Sequence, residues 1–119
     1  MQKIYHLSTC TTCQRIIKEL GIEKKGFIFQ DIKTQKITES QLDEMKKLAG
    51  TYEMLFSRRA MKYKELGLKG KLLSENDYRK FILDEYTFLK RPVVIVGTNI
   101  FIGSENKNID ALKNALNEK

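Results

Sequence analysis

No tryptophan occurs in this chain of 119 residues, and there are only one proline, one histidine and two cysteines. Each scarcity excludes something. Cys10 and Cys13 stand too close together to cross-link distant segments, which rules out a secreted disulfide scaffold. With His6 they make three metal ligands at most, one short of a structural zinc site, so no metal is expected. No apolar run approaches the ~20 residues of a membrane span. Met1-Gln2-Lys3 leads straight into Ile4-Tyr5-His6-Leu7, without the apolar core of a signal peptide. The expectation is a protein with no membrane association, in the cytoplasm.

What is present reads as an ordinary folded domain. Apolar residues make up 41% and charged residues 31%, outside the disordered range. The length suits one domain, 1–119, large enough for a core of its own. A monomer is expected. Lys and Arg number 22 against 15 Asp and Glu, hence 22 − 15 = +7. The lysines alternate with acids, as in Asp43-Glu44-Met45-Lys46-Lys47, and no nucleic-acid-binding motif accompanies them. The surplus is read as a solvated surface.

The chain opens with a short strand over residues 3–7, followed by the small polar run Ser8-Thr9-Cys10-Thr11-Thr12. Cys13, Ile16, Ile17 and Leu20 then recur at the spacing of one helical face, with Gly21 placed to end the helix. Residues 26–32 read as a second strand, giving a β-α-β opening. A helical block of about 36–90 follows. Thr38-Glu39-Ser40-Gln41 predicts a capping box, and Tyr52–Phe56 and Met61–Leu66 predict shorter helical pieces. Ser74 caps a longer helix whose inner face is Tyr78, Phe81, Ile82 and Tyr86, stopped by Arg91-Pro92. Val93–Val96 reads as a strand buried on both faces, turning through Gly97-Thr98-Asn99 into an antiparallel neighbour at Ile100–Ile102. Asn108 is placed to cap a last helix with Ile109, Leu112 and Leu116 inside.

The helix phase separates the two cysteines. Cys13 belongs to the apolar stripe, where a cysteine is ordinarily a small hydrophobe. Cys10 precedes the first turn, where unpaired N–H groups and the helix dipole favour negative charge. That setting lowers a thiol pKa from about 8.5 into the 3.5–7.5 range and exposes the thiolate nucleophile. A C-x-x-C in a β-α-β unit therefore points to redox chemistry, with Cys10 attacking and Cys13 available to resolve a mixed disulfide. His6, at the end of the preceding strand, would add positive field if protonated and accept a proton if neutral.

Arginine is the other informative residue type. Arg15 and Arg79 read as solvated surface charges. Arg58 and Arg59 interrupt an apolar stretch after Met54-Leu55-Phe56, and Arg91 precedes Pro92 at the entry to the buried strand. An X-Pro bond there can be cis. If that strand lies beside the first, residue 91 is carried to the mouth of the cysteine loop. A planar guanidinium fork suits a tetrahedral oxyanion, so Arg58 or Arg59 together with Arg91 is the candidate anion clamp.

In this order the residues resemble the arsenate reductases of the thioredoxin-fold, glutaredoxin-linked class and their Spx-type relatives. The resemblance rests on Ile4-Tyr5-His6 with Cys10, on Arg58-Arg59 followed by Tyr63-Lys64-Glu65-Leu66-Gly67-Leu68, and on Arg91-Pro92-Val93-Val94. It implies an α/β, thioredoxin-like fold: a four-stranded mixed sheet flanked by helices, with the helical block inserted between the β-α-β and β-β-α halves. It further implies Cys10 as nucleophile, His6 tuning it, Arg59 (or Arg58) and Arg91 holding the oxyanion, and Pro92 as a cis-proline beside the site. The resemblance also implies a third arginine on the last strand or its turn, yet Asn99–Ser104 contains none. One absent charge-assisted contact weakens oxyanion binding by about 1.5–3 kcal/mol, roughly ten- to a hundredfold.

The expected function is accordingly an arsenate-reductase-like thiol oxidoreductase acting on a small oxyanion. No bound cofactor is expected. Glutathione is the implied co-substrate, and glutaredoxin or thioredoxin the electron donor. Two other readings stay open: a redox-switch regulator that contacts RNA polymerase through a Cys10–Cys13 disulfide, and a general disulfide reductase.

Overall fold

The computed structural model describes residues 2–117. In chain order the elements are β1 (Gln2–His6), α1 (Thr11–Glu19), β2 (Ile28–Asp31), α2 (Glu39–Ala49), α3 (Met61–Glu65), α4 (Glu75–Asp84), β3 (Val93–Val96), β4 (Asn99–Ile102) and α5 (Asn106–Asn117). The chain divides into two compact units, one being Lys36–Lys90 and the other the segments on either side of it. Met1, Glu118 and Lys119, at the ends of the expected 1–119 domain, lie outside the described residues.

The outer segments build an α/β unit around one sheet of order β2-β1-β3-β4. β1 and β2 are parallel, joined by the crossover through α1, while β3 and β4 add in antiparallel fashion. Alternation along β1 places Ile4 and His6 on one face and Tyr5 on the other. The Ile4 face meets the stripe of α1 and the inner side of α5, forming a core of Ile4, Ile16, Ile17, Val94, Leu112 and Leu116 among others. Every residue of β3 is buried, in keeping with its unbroken apolar run.

Three local readings change here. β2 begins at Ile28 rather than 26, because Gly26 adopts a left-handed φ of 76° and turns the chain. The last helix starts at Asn106, so Asn108 is not its cap. Its amide instead accepts from the Ile102 N–H at 3.1 Å and donates to the Gly103 carbonyl at 2.8 Å, tying the end of β4 to α5. Cys13, expected from its place on the apolar stripe to be only partly buried under the helix, is completely buried.

Lys36–Lys90 is a helical unit. The capping box Thr38/Gln41 opens α2 and a second one, Ser74/Asp77, opens α4. Its core gathers on Phe56, which stacks on Phe88 at 5.0 Å and packs against Tyr78 at 4.9 Å. Tyr52–Phe56 forms only one 3₁₀ turn, Glu53–Leu55. α4 ends at Asp84, well before Arg91-Pro92. Glu85 is extended and its carboxylate accepts the Thr87 N–H, which starts a 3₁₀ turn at Tyr86–Phe88 and leaves Tyr86 off the helical face.

Candidate active site

Cys10 is the N-cap of α1, with extended backbone angles (φ −85°, ψ 113°). Its N–H donates to the Leu7 carbonyl at 2.9 Å and its carbonyl accepts the Gln14 N–H at 3.0 Å, so the loop delivers it directly onto the first turn. Partial burial works against ionisation of this thiol. The backbone N–H of Cys13, the Cys13 thiol, the Thr12 N–H and the Arg91 guanidinium together outweigh it and hold the pKa below the ordinary thiol value. None of these donors closes a cap bond of standard geometry. The stabilisation is the sum of several weaker pulls at a helix N-terminus.

Cys13 is the opposite case. Burial dominates, and the negative charge of Cys10 beside it adds to the effect, pushing its thiol up to about 11. It therefore keeps its proton at neutral pH. The Arg91 guanidinium acts on both sulfurs. Its position follows from register: Tyr5 pairs with Val93, so the residues just before β3 lie at the end of β1 from which the cysteine loop emerges. The Arg91–Pro92 peptide bond is cis.

His6 ends β1 half-buried, with the edge of its ring against Phe29 at 5.4 Å. Burial depresses its pKa below 6.5 despite the opposing charge of Asp31. The imidazole is thus neutral at pH 7, and the positive charge at the site comes from Arg91. Asp31 and Ser8 carried no signal in the sequence. Parallel register sets Asp31 beside His6. Its carboxylate, stabilised first by the Ser8 hydroxyl and also by backbone N–H groups at Lys33 and Ser8, lies below the usual carboxylate range. The Ser8–Asp31 link ties the cysteine loop to β2.

The paired arginines of the helical unit differ sharply. Arg58 donates to Glu53 at 2.8 Å and to the Tyr78 hydroxyl at 3.0 Å, and its guanidinium lies near the Phe56 and Tyr78 rings. It is committed to the fold of its own unit. The Arg59 side chain is exposed and makes no hydrogen bond or ion pair among the described residues. No group of three or more His, Cys, Asp or Glu that could hold a metal occurs among the described residues. No helix among them is long and apolar enough to cross a membrane.

A mixed four-stranded sheet that sets a cysteine with a lowered thiol pKa at the start of its first helix, ahead of a cis-proline, defines a thioredoxin-like protein. The family model for the ArsC family matches residues 5–112, and the chain belongs to that family. Among solved structures it is similar to a Staphylococcus aureus protein at 26% identity, TM-score 0.74, covering 93% of this chain and 97% of that one. It is also similar to an arsenate reductase (ArsC) related protein from Brucella melitensis at 20% identity, TM-score 0.71, covering 92% of each chain. The arsenate reductase from Vibrio cholerae superposes with TM-score 0.76 at 16% identity, covering 94% and 95%. No curated protein sequence matches the chain.

Proposed function

We propose that this protein is a thiol-dependent reductase of an arsenate-like oxyanion, with Cys10 as nucleophile. The observation that carries the reading is the pairing of a stabilised Cys10 thiolate with the Arg91 guanidinium at the N-terminus of α1. Arg91 holds the oxyanion, and the Cys10 thiolate attacks the arsenic(V) centre. A protonated oxygen leaves as water, forming a Cys10–S–As bond. An incoming thiolate then attacks the Cys10 sulfur. The S–As bond breaks with its electron pair moving to arsenic, which departs as arsenic(III), and Cys10 is left in a mixed disulfide. A second thiol cleaves that disulfide and restores Cys10. Two thiols become one disulfide for each two-electron reduction.

The incoming thiol is glutathione rather than Cys13 on this reading. A buried thiol with a pKa of about 11 is almost wholly protonated at pH 7, and only the thiolate attacks. Cys13 acts instead as a hydrogen-bond donor that stabilises the Cys10 thiolate and keeps its own proton. Of the two neighbouring arginines, Arg59 is the one whose guanidinium is available to an anion. Glutaredoxin is the donor that recycles the mixed disulfide.

The test is arsenate-dependent NADPH oxidation coupled through glutathione, glutaredoxin and glutathione reductase, repeated with thioredoxin and its reductase. Turnover by the wild type that disappears in Cys10→Ser supports the reading and identifies the donor. Absence of turnover in both systems, with Cys10 still alkylated as a thiolate, overturns it.

A further inference from the structure

The chain leaves the core at Leu7 and re-enters it at Cys13. No side chain of residues 8–12 is buried, and Ser8 and Thr9 are fully exposed. The turn also contains no proline, so no ring presets its backbone. Ordering such a segment costs conformational entropy that apolar packing here does not offset. Polar contacts must hold the turn that delivers Cys10.

Those contacts converge on Ser8. From β2, the Asp31 carboxylate accepts both the Ser8 hydroxyl and the Ser8 N–H. From α1, the Gln14 side-chain amide donates to the Ser8 carbonyl. Both anchors are themselves fixed. Asp31 stands beside His6 in parallel register, the Ile32 N–H donates to the His6 carbonyl at 2.9 Å, and the Lys33 N–H donates to the Asp31 carboxylate at 3.1 Å. The Gln14 N–H donates to the Cys10 carbonyl at 3.0 Å. The link onward to Cys10 is a single rigid unit. The Ser8 N–H held by Asp31 and the Leu7 carbonyl, which accepts the Cys10 N–H at 2.9 Å, are opposite edges of one peptide plane. On the solvent side Ser8 and Gln14 border a groove with Lys18, Glu23 and Lys24, none of which makes an ion pair among the described residues. Water reaches the turn from there and competes for each bond singly, so the hold depends on both anchors.

We infer that Asp31 and Gln14 are positioning residues that clamp Ser8 between β2 and α1, and so fix the Leu7–Ser8 peptide plane on which Cys10 hangs at the start of the helix. They act through Ser8, not on the sulfur. The inference rests on Cys10 as the nucleophile of the proposed function and adds what keeps it in place. Its sign sets it apart from plain electrostatics. A carboxylate near a thiol opposes the thiolate, so loss of the Asp31 charge alone would lower the Cys10 pKa. Loss of the clamp frees the turn, moves Cys10 away from the N–H groups of α1 and raises it. His6, which faces Asp31, is neutral at pH 7 and stays neutral without that carboxylate. Cys13 on α1 and Arg91 before β3, which face Cys10, are left unaltered.

The test is the pH dependence of Cys10 alkylation by iodoacetamide in the full chain, read by mass spectrometry. In Asp31→Ala and in Gln14→Ala the midpoint is expected to rise by about half a pH unit or more. The rise is smaller in Asp31→Asn, which keeps an acceptor oxygen for Ser8. Gln14→Ala changes no charge and suits an exposed helical position, so it carries the test even if Asp31→Ala does not fold. Asp43→Ala, which cuts bonds to Tyr52 and Arg79 in the helical unit, serves as the control for general loosening and leaves the midpoint unchanged. An unchanged or lowered midpoint in either Asp31→Ala or Gln14→Ala, or an equal rise in Asp43→Ala, would overturn the assignment. The measurement uses no arsenate and no second thiol, so a failed clamp leaves the turnover assay standing, and a failed turnover assay leaves the clamp.

Discussion

Burial holds a proton on Cys13, one helical turn after Cys10, and the Cys13 S–H in turn favours the thiolate of Cys10. The two thiols of one C-x-x-C are therefore split in role by a single physical cause. Cys10 stands at the N-cap beside several donors, whereas Cys13 is completely shielded from water.

This division predicts that Cys13→Ala raises the Cys10 pKa while Cys13→Ser, which keeps a donor, raises it less. The iodoacetamide reaction rate followed against pH reads both. In the coupled assay with glutathione, Cys13→Ala retains turnover, because the resolving thiol comes from solution. Loss of turnover in Cys13→Ala with a normal Cys10 alkylation profile would make Cys13 the resolving thiol instead.

Arg91 is the charge that both sulfurs feel. Replacing it by Met is expected to raise the Cys10 pKa and to abolish any shift of that pKa caused by added arsenate or phosphate. Arg91→Lys keeps much of the pKa effect but loses the fork geometry, so anion binding suffers more than thiol ionisation. Equal losses in both properties would argue that Arg91 acts only through its charge.

Arg58 and Arg59 are expected to fail in opposite ways. Arg58→Ala removes a half-exposed pair with Glu53, a bond to Tyr78 and cover over Phe56. A loss of about 1 kcal/mol in urea unfolding follows, with the pair discounted for solvent screening. Arg59→Ala changes stability by less than about 0.5 kcal/mol, as surface substitutions do, and weakens the response of Cys10 to arsenate. A swap of these phenotypes would reassign the oxyanion arginine to Arg58.

Asp31 gives a pH signature. Its folded pKa is depressed by Ser8 and nearby N–H groups, so it stabilises the fold at pH above the ordinary carboxylate value of about 3.9. That contribution is lost as the pH falls through the depressed value. Urea midpoints measured at pH 7 and pH 3 should therefore differ more in the wild type than in Asp31→Asn. The variant also loosens Ser8, which makes amide exchange in residues 7–10 faster. Identical pH dependence in the two proteins would show that the Ser8–Asp31 link carries no stability.

Much of this was legible in local pattern. The spacing of Cys13, Ile16, Ile17 and Leu20 marked α1, Val93–Val96 marked the buried strand, and Thr38/Gln41 and Ser74/Asp77 marked two helix starts, because periodicity and capping act within a few residues. The end of α4 was not legible. Its stop is set by the extended Glu85 and its bond to Thr87, a choice the apolar spacing of Tyr78, Phe81, Ile82 and Tyr86 conceals. Asn108 misled for a related reason: an asparagine near a helix start can cap it, but here the nearby β4 N–H at Ile102 is its partner.

The sequence by itself determined the order of elements, the placement of Cys10 at the start of α1 and the membership of the ArsC family, since these depend on short-range chemistry along the chain. The tertiary structure decided which groups surround that nucleophile. It brought Asp31 to His6 and Ser8 across 25 and 23 positions, committed Arg58 to Glu53 and Tyr78, sealed Cys13 from water, and left Lys18, Glu23 and Lys24 unpaired along a groove. Strand register and burial are properties of the packed chain, and no local spacing encodes them.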